Sequence, residues 1–214
     1  MEIVYCGHSC FLLKTEAGTR IVTDPYTGVG YEMAPVAADY VTCSHFHFDH
    51  GYTEGVRGAR EVIAGAGEFV RGDVKIEGFA AFHDDVGGKK RGADTVYVFE
   101  ADGLRVCHMG DIGEPCTPAL AEKLGKIDVL LVPVGGTYTV DAKGALEYIG
   151  AIAPQVAVPM HYRSRGCTLD IDPVDVFVRE AEKTREVVFA HGSSLQGVGP
   201  YRGKIVVLER VNHG

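Results

Sequence analysis

The chain has 214 residues, enough for one domain with a sizeable core, and a hydrophobic share of 46% with mean hydropathy near zero marks an ordinary globular protein. Lys and Arg number 21 against 29 Asp and Glu, a net charge of −8 that disfavours a general nucleic-acid surface, which works by releasing counterions from basic patches. No apolar run reaches the length of a membrane span, and Met1-Glu2-Ile3 opens in a strand pattern without the basic-then-apolar layout of a leader, so the expected location is cytoplasmic.

Residues 2–6, 9–14 and 20–24 alternate or run apolar and break at glycine, which predicts three consecutive antiparallel strands with a turn at Glu16-Ala17-Gly18. His8, within Gly7-His8-Ser9, reads as a core imidazole or a pocket-lining one, with the structural role preferred. Pro25 moves Asp24 out of helical geometry, so the Asp24 carboxylate either projects from a strand end or closes a turn. Residues 26–38 show no periodicity and predict a loop, a candidate pocket wall. Residues 39–44 form a short apolar strand with a polar end, and it leads into His45-Phe46-His47-Phe48-Asp49-His50.

That stretch carries four metal-ligand side chains in six residues. Alternating ligands suit an extended loop at a strand end, where small twists converge them and the sheet behind holds them. Three imidazoles and a carboxylate suit Zn2+, and also Mn, Fe, Ni or Co. The plain alternative is a His-rich surface loop; Phe46 and Phe48 argue against it, because they are expected to pin the loop to the core.

Beyond it, Glu61–Ala64 and Val74–Phe82 read as strands, the second ending at His83-Asp84-Asp85. Gly87-Gly88-Lys89-Lys90-Arg91-Gly92 follows, either a solvated hairpin or an anion clamp for a phosphate or carboxylate. Asp94–Glu100 and Leu104–His108 flank an Asp102-Gly103 turn, and Gly110 frees the backbone where Asp111 must turn inward. His108 lies three residues upstream and is read as core or as a supporting group. Pro118–Leu124 predicts a helix with Pro at its start, and Asp128–Val132 a strand covered on both faces. Residues 133–139 form a loop with Thr137 and Tyr138 as candidate substrate contacts. Asp141 caps a helix over 142–150; Val156–Pro159 is a strand ending at Met160-His161-Tyr162, with Arg163 and Arg165 beside it. A helix over 173–184 capped by Asp172, and strands over 186–190 and 204–209, complete the chain; His191 and His213 receive no role. The six cysteines form no C-x-x-C pair and are expected as reduced thiols, Cys43 and Cys107 in buried strands.

His-x-His-x-Asp-His over 45–50 resembles, without a substitution, the signature of the metallo-β-lactamase-fold hydrolases. Gly7-His8-Ser9, Thr23-Asp24-Pro25, Gly110-Asp111, 133–136 and 159–162 follow in the order of a small subgroup that includes L-ascorbate 6-phosphate lactonase. The resemblance implies an α/β fold, a four-layer αββα sandwich, with residues 1–214 as a single domain. It implies two divalent cations: one held by His45, His47 and His83, the other by Asp49, His50 and His161, with Asp111 bridging. Asp24 is then a support for a ligand imidazole. Asp49 and Asp111 are the catalytic carboxylates in this sense: they hold a pair of cations that share a water and make hydroxide available near neutral pH.

The implied activity is hydrolysis of an ester, lactone or phosphoester in a small, anionic substrate, held by Lys89, Lys90, Arg91, Tyr138 and Arg163. The rival readings are a redox di-iron member of the same fold and a nuclease acting on phosphodiesters. The nuclease would need a basic exosite or a further domain, and neither is present in the sequence. The expected partner is a small molecule, with homo-oligomer formation left open, and neither nucleic acid nor membrane is expected.

Overall fold

The computed structural model describes residues 1–211, so His213 lies outside the described residues. Strands β1 (Glu2–Gly7), β2 (Cys10–Lys14) and β3 (Arg20–Thr23) form the expected antiparallel meander. Three more strands follow: a short β4 (Val36–Ala37), β5 (Tyr40–Cys43) and another short one, β6 (Val56–Arg57), which pairs with β4. β5 lies parallel to β3, and β7 (Glu61–Ala64) lies parallel to β5. β8 (Gly67–Arg71), β9 (Val74–Phe82), β10 (Ala93–Ala101) and β11 (Leu104–His108) run antiparallel in turn. β12 (Val129–Pro133), β13 (Val156–Met160), β14 (Val187–Phe189), β15 (Ser194–Gln196) and β16 (Lys204–Val207) complete the strands; β15 returns to pair with β1. Two main sheets result, ordered β15-β1-β2-β3-β5-β7 and β14-β16-β13-β12-β11-β10-β9-β8.

Period-2 patterning assigns the faces. Phe11, Leu13, Ile21 and Ile63 of the first sheet meet Ile76, Val96, Val98 and Val106 of the second in the main core. Fully burying each such side chain contributes about 1.5–3 kcal/mol. The alternate residues Cys10, Val22, Val41 and Cys43 face outward under Tyr26, Val29, Val36 and Val56. That face is therefore roofed by the 26–38 segment and a single 3-10 turn at Thr53–Gly55, where the layered pattern anticipated helix.

Helices α1 (Pro118–Leu124), α2 (Ala142–Ile152) and α3 (Val174–Ala181) pack in sequence on one another, and α2 packs on β12. Asp141 caps α2 through Lys143 and Gly144 backbone N–H groups, as its position predicts. Asp172 does not cap α3: Pro173 is the N-cap residue, and the Asp172 backbone instead bonds Gly135 O and Arg163 N. β8 and β15 escape prediction because three of the five β8 residues, and two of the three in β15, are exposed, which removes the apolar alternation. Among the described residues no helix is long and apolar enough to cross a membrane.

The topology also gathers the polar residues. β1, β3 and β5 point the same way in the first sheet, and β9, β11 and β13 do so in the second. Their C-terminal ends share one edge of the sandwich, and His8, Asp24, Ser44, His83 and His161 each directly follow such an end.

Candidate metal centre

Asp111 sits at the middle of the cluster. Its Oδ2 lies 3.0 Å from Nε2 of His50, 3.3 Å from Nε2 of His161, 3.4 Å from Nε2 of His83 and 4.0 Å from Nε2 of His45. The His45 ring centroid is 4.5 Å from that of His47 and 4.7 Å from that of His83. Three groups of potential ligand atoms form, each within 4.8 Å of one another: His45, His47 and His83; His45, His50 and Asp111; and His8, Asp49, His50 and His161. The seven residues named from the sequence therefore meet at one place.

Gly110 is what lets Asp111 enter. Its φ is +54°, and a Cβ there would lie 2.5 Å from Oδ1 of Asp94 and 2.7 Å from Cβ of Ser44. Asp94 receives no role in the sequence reading. Its Oδ1 accepts the Asp111 backbone N–H at 3.2 Å and lies 3.5 Å from Nδ1 of His45. Because β10 runs opposite to β9, its first residues lie at the edge where β9 ends; a charge opening an otherwise apolar strand was the signal available.

Asp24 holds the other flank. Its Oδ1 accepts the Ser44 N–H at 2.8 Å, and its Oδ2 takes the Ser44 hydroxyl at 2.6 Å and Nδ1 of His50 at 2.8 Å. That bond puts the proton of His50 on Nδ1 and turns Nε2 toward Asp111. Asp24 does so from a left-handed backbone, φ +40°, rather than from an extended strand end. His8 and His161, both at φ +52°, are held in the same unusual region, and the His161 N–H donates to His8 O at 2.9 Å.

Burial of Asp111 raises its pKa, but the His161 and His50 imidazoles outweigh that and hold it well below the carboxylate range. Burial lowers His50, yet Asp111 and Asp24 on its two sides carry it well above the usual imidazole value. His83 and His47 are lowered, by burial first. Nε2 of His45, Nε2 of His161 and Oδ1 of Asp111 are buried without a hydrogen-bond partner. Orphaned buried donors and acceptors on this scale are costly, and all three point into the cluster that divalent cations would fill. The residues present fit the cations.

A cavity of about 340 Å³ opens over the cluster, lined by His47, Asp49, His83 and Asp111 below and by Phe48, Arg91, Tyr138 and Leu169 above. Phe46 and Phe48 do not pin the loop to the core: they are 68% and 56% exposed, and Phe48 forms part of the cavity wall. Of the expected basic contacts, Arg91 reaches the cavity, donating to Thr137 O at 2.9 Å and covering the Tyr138 ring at 5.5 Å. Lys89 is exposed, Lys90 is drawn off by Asp85 at 2.8 Å, and Arg163 and Arg165 are exposed away from the cavity lining. For the two lysines the cause is Asp84, which accepts backbone N–H groups from Val86, Gly88, Lys90 and Arg91 and so sets the course of the loop. Burial raises the Asp84 pKa, and these four bonds bring it well below the usual range.

Residues 2–161 match the model of the β-lactamase superfamily domain. A UPF0173 protein of Pyrococcus furiosus is 32% identical over 95% of this chain and 99% of its own length. A UPF0173 metal-dependent hydrolase of Carboxydothermus hydrogenoformans is 28% identical over 77% of this chain and 85% of its own. A crystal structure from Thermotoga maritima, described as a candidate zinc-dependent hydrolase of the metallo-β-lactamase superfamily, is 38% identical, with a TM-score of 0.77 over 98% of this chain and 99% of that one.

Proposed function

The chain belongs to the metallo-β-lactamase superfamily and is a metal-dependent hydrolase, and from that premise we propose a two-cation enzyme that cleaves an ester, lactone or phosphoester bond in a small anionic substrate. The observation that carries the reading is the convergence of His45, His47, Asp49, His50, His83 and His161 around Asp111, with buried ligand atoms left unpaired. When bound, two divalent cations, Zn2+ foremost, supply an acidified water and polarise the bond to be cut.

The rest falls to the protein. Asp111 faces both imidazole groups and offsets cationic charge between them. Asp24 aims His50 directly, and aims His45 through the Ser44 hydroxyl, which lies 3.0 Å from Nδ1 of His45. Phe48, Tyr138 and Leu169 keep the cavity wall apolar, which shields the reacting bond from bulk water, and Arg91 offers a single guanidinium to an anionic group remote from that bond. No serine or cysteine nucleophile is needed: Cys10, Cys43 and Cys107 are buried with pKa values raised by burial.

Elemental analysis after Zn2+ or Mn2+ supplementation tests the reading directly. Two cations per chain, with turnover on a panel of anionic esters, lactones and phosphoesters that stops on chelation, is the expected result. One cation at most, or iron with oxygen uptake and no hydrolysis, refutes it.

A further inference from the structure

His8 is fully buried and carries the last imidazole of the cluster, yet the two-cation set assigns it no task. Its Nε2 lies 3.2 Å from Oδ2 of Asp49. An ionised carboxylate only accepts, so His8 must carry its proton on Nε2. Among the described residues this is the hydrogen bond that fixes the Asp49 carboxylate.

The protein spends several contacts on holding His8 there. The His8 N–H donates to the Tyr31 hydroxyl at 3.1 Å, and its carbonyl accepts from His161 N at 2.9 Å and from the Tyr5 hydroxyl at 3.2 Å. Tyr31 is in turn covered by the Arg210 guanidinium, 3.7 Å from its ring centroid. Gly7 precedes it at φ +111°, where a Cβ would lie 2.6 Å from the Tyr26 hydroxyl. The His8 ring packs 4.3 Å from that of His161 and 5.2 Å from that of His50, centroid to centroid.

We propose that His8 is a positioning residue: its Nε2–H holds Oδ2 of Asp49, the oxygen that lies 3.7 Å from Nε2 of His50, and so fixes the carboxylate facing the second site. The inference rests on the two-cation reading. The rival role, direct ligation by His8, is disfavoured because Asp49, His50, His161 and Asp111 already supply the four donors of a tetrahedral site and the His8 nitrogen that faces them is engaged. Loss of the donor should weaken the second site by roughly 10–100-fold and leave the site of His45, His47 and His83 intact.

Two measurements decide it. Zn2+ titrations of wild type, His8→Gln and His8→Phe compare a side chain that keeps an N–H near the Nε2 position with a ring that lacks it. Two sites in wild type, a second site near wild type in His8→Gln and a weakened second site in His8→Phe support the proposal; equal second-site affinity in all three overturns it. A wild type that binds fewer than two cations fails the parent reading instead. NMR of the wild-type protein loaded with 113Cd and labelled with 15N at histidine needs no variant to fold. A His8 proton on Nε2 with no coupling to 113Cd supports positioning, while 113Cd coupling to His8, or a proton on Nδ1, overturns it.

Discussion

The floor and the rim of the cavity are built by opposite means. On the floor, His50, Asp111 and His161 are buried and held from behind by Asp24, Asp94 and strained backbone at strand ends. On the rim, the 84–92 loop is ordered through its backbone by Asp84, and its side chains go where that course sends them: Arg91 to the cavity, Lys90 to Asp85. A floor built this way fixes atoms to fractions of an ångström for cations; a rim built that way fixes a loop and selects which charge faces a substrate. Changes to the floor should therefore show in metal binding, and changes to the rim in substrate binding.

The largest effect is expected from Asp111→Ala. Four imidazoles face its Oδ2 within 4.0 Å, and among the described residues no other carboxylate is placed between the two groups. The loss in cation affinity should exceed the roughly 10–100-fold typical of supporting partners, with turnover abolished. Elemental analysis and activity measured together check it; retention of two cations and turnover would sink the bridging assignment. Asp24→Asn should fall within that 10–100-fold range, because the amide keeps the shape and loses the charge that orients His50. The same titration gives the answer, and wild-type affinity would remove Asp24 from the support of the floor.

The floor should also respond to pH. His50 without metal has its pKa raised by Asp111 and Asp24. Its charged form therefore stabilises the metal-free fold fully below the unfolded value of about 6.5, and that contribution is lost as pH rises through the raised folded value. Cations must displace the same proton. Cation affinity is expected to climb with pH up to the raised folded value and then level off, by at most about tenfold per unit for one proton, while metal-free stability declines above about 6.5. Isothermal titration in buffers of different ionisation enthalpy would count the proton released; no release would refute the role of His50.

How much of this was legible in the sequence divides along the same line. His45 to His50 could be read because the ligands are local and their spacing is specific, and His83, Asp111 and His161 because each stands at or just beyond the end of an apolar strand. Helix α1 and the cap of α2 followed from Pro118 and Asp141. His8 and Asp94 were harder: they support the site through long-range contacts, chiefly to Asp49 and to Asp111, which a motif at a strand end or a charge opening a strand hints at but does not specify. The direction of Lys89 and Lys90 was not legible at all, since consecutive residues of a turn point apart and the choice belongs to Asp84 and the surrounding backbone.

On the rim, Arg91→Met should raise KM for anionic substrates and leave kcat much less changed, because the contact is made equally in the ground state and the transition state. A hydrogen bond to a charged group is worth about 1.5–3 kcal/mol, which corresponds to roughly 10–100-fold in KM. Methionine keeps the unbranched apolar stem but loses the guanidinium with its bond to Thr137 O and its contact with the Tyr138 ring, so the neutral ester serves as the control for changes in the wall itself. A matched pair of esters with and without a remote anionic group should lose their difference in this variant. Equal kcat/KM for the pair already in wild type would mean that Arg91 is a wall residue only.

The smallest effect is expected from the double variant Lys89→Ala, Lys90→Ala. Three consecutive charges in the sequence make these lysines look equivalent to Arg91, and the structure separates them. Lys90 is exposed and its Nζ is paired with Asp85 at 2.8 Å, an exposed pair of the kind that contributes little to stability. The loop does not depend on either side chain, because Asp84 binds the backbone N–H groups of Lys90 and Arg91, and alanine keeps both. Long-range attraction of an anion by the two charges would remain, but at physiological salt it is screened over about 8 Å. Metal content, kcat and KM should therefore all match wild type, with at most a small drop in kcat/KM at low ionic strength that disappears when salt is added. A rise in KM comparable to that of Arg91→Met at physiological salt would show that the loop swings its lysines over the cavity when substrate is bound, and the division between a rigid floor and a selective rim would have to be redrawn.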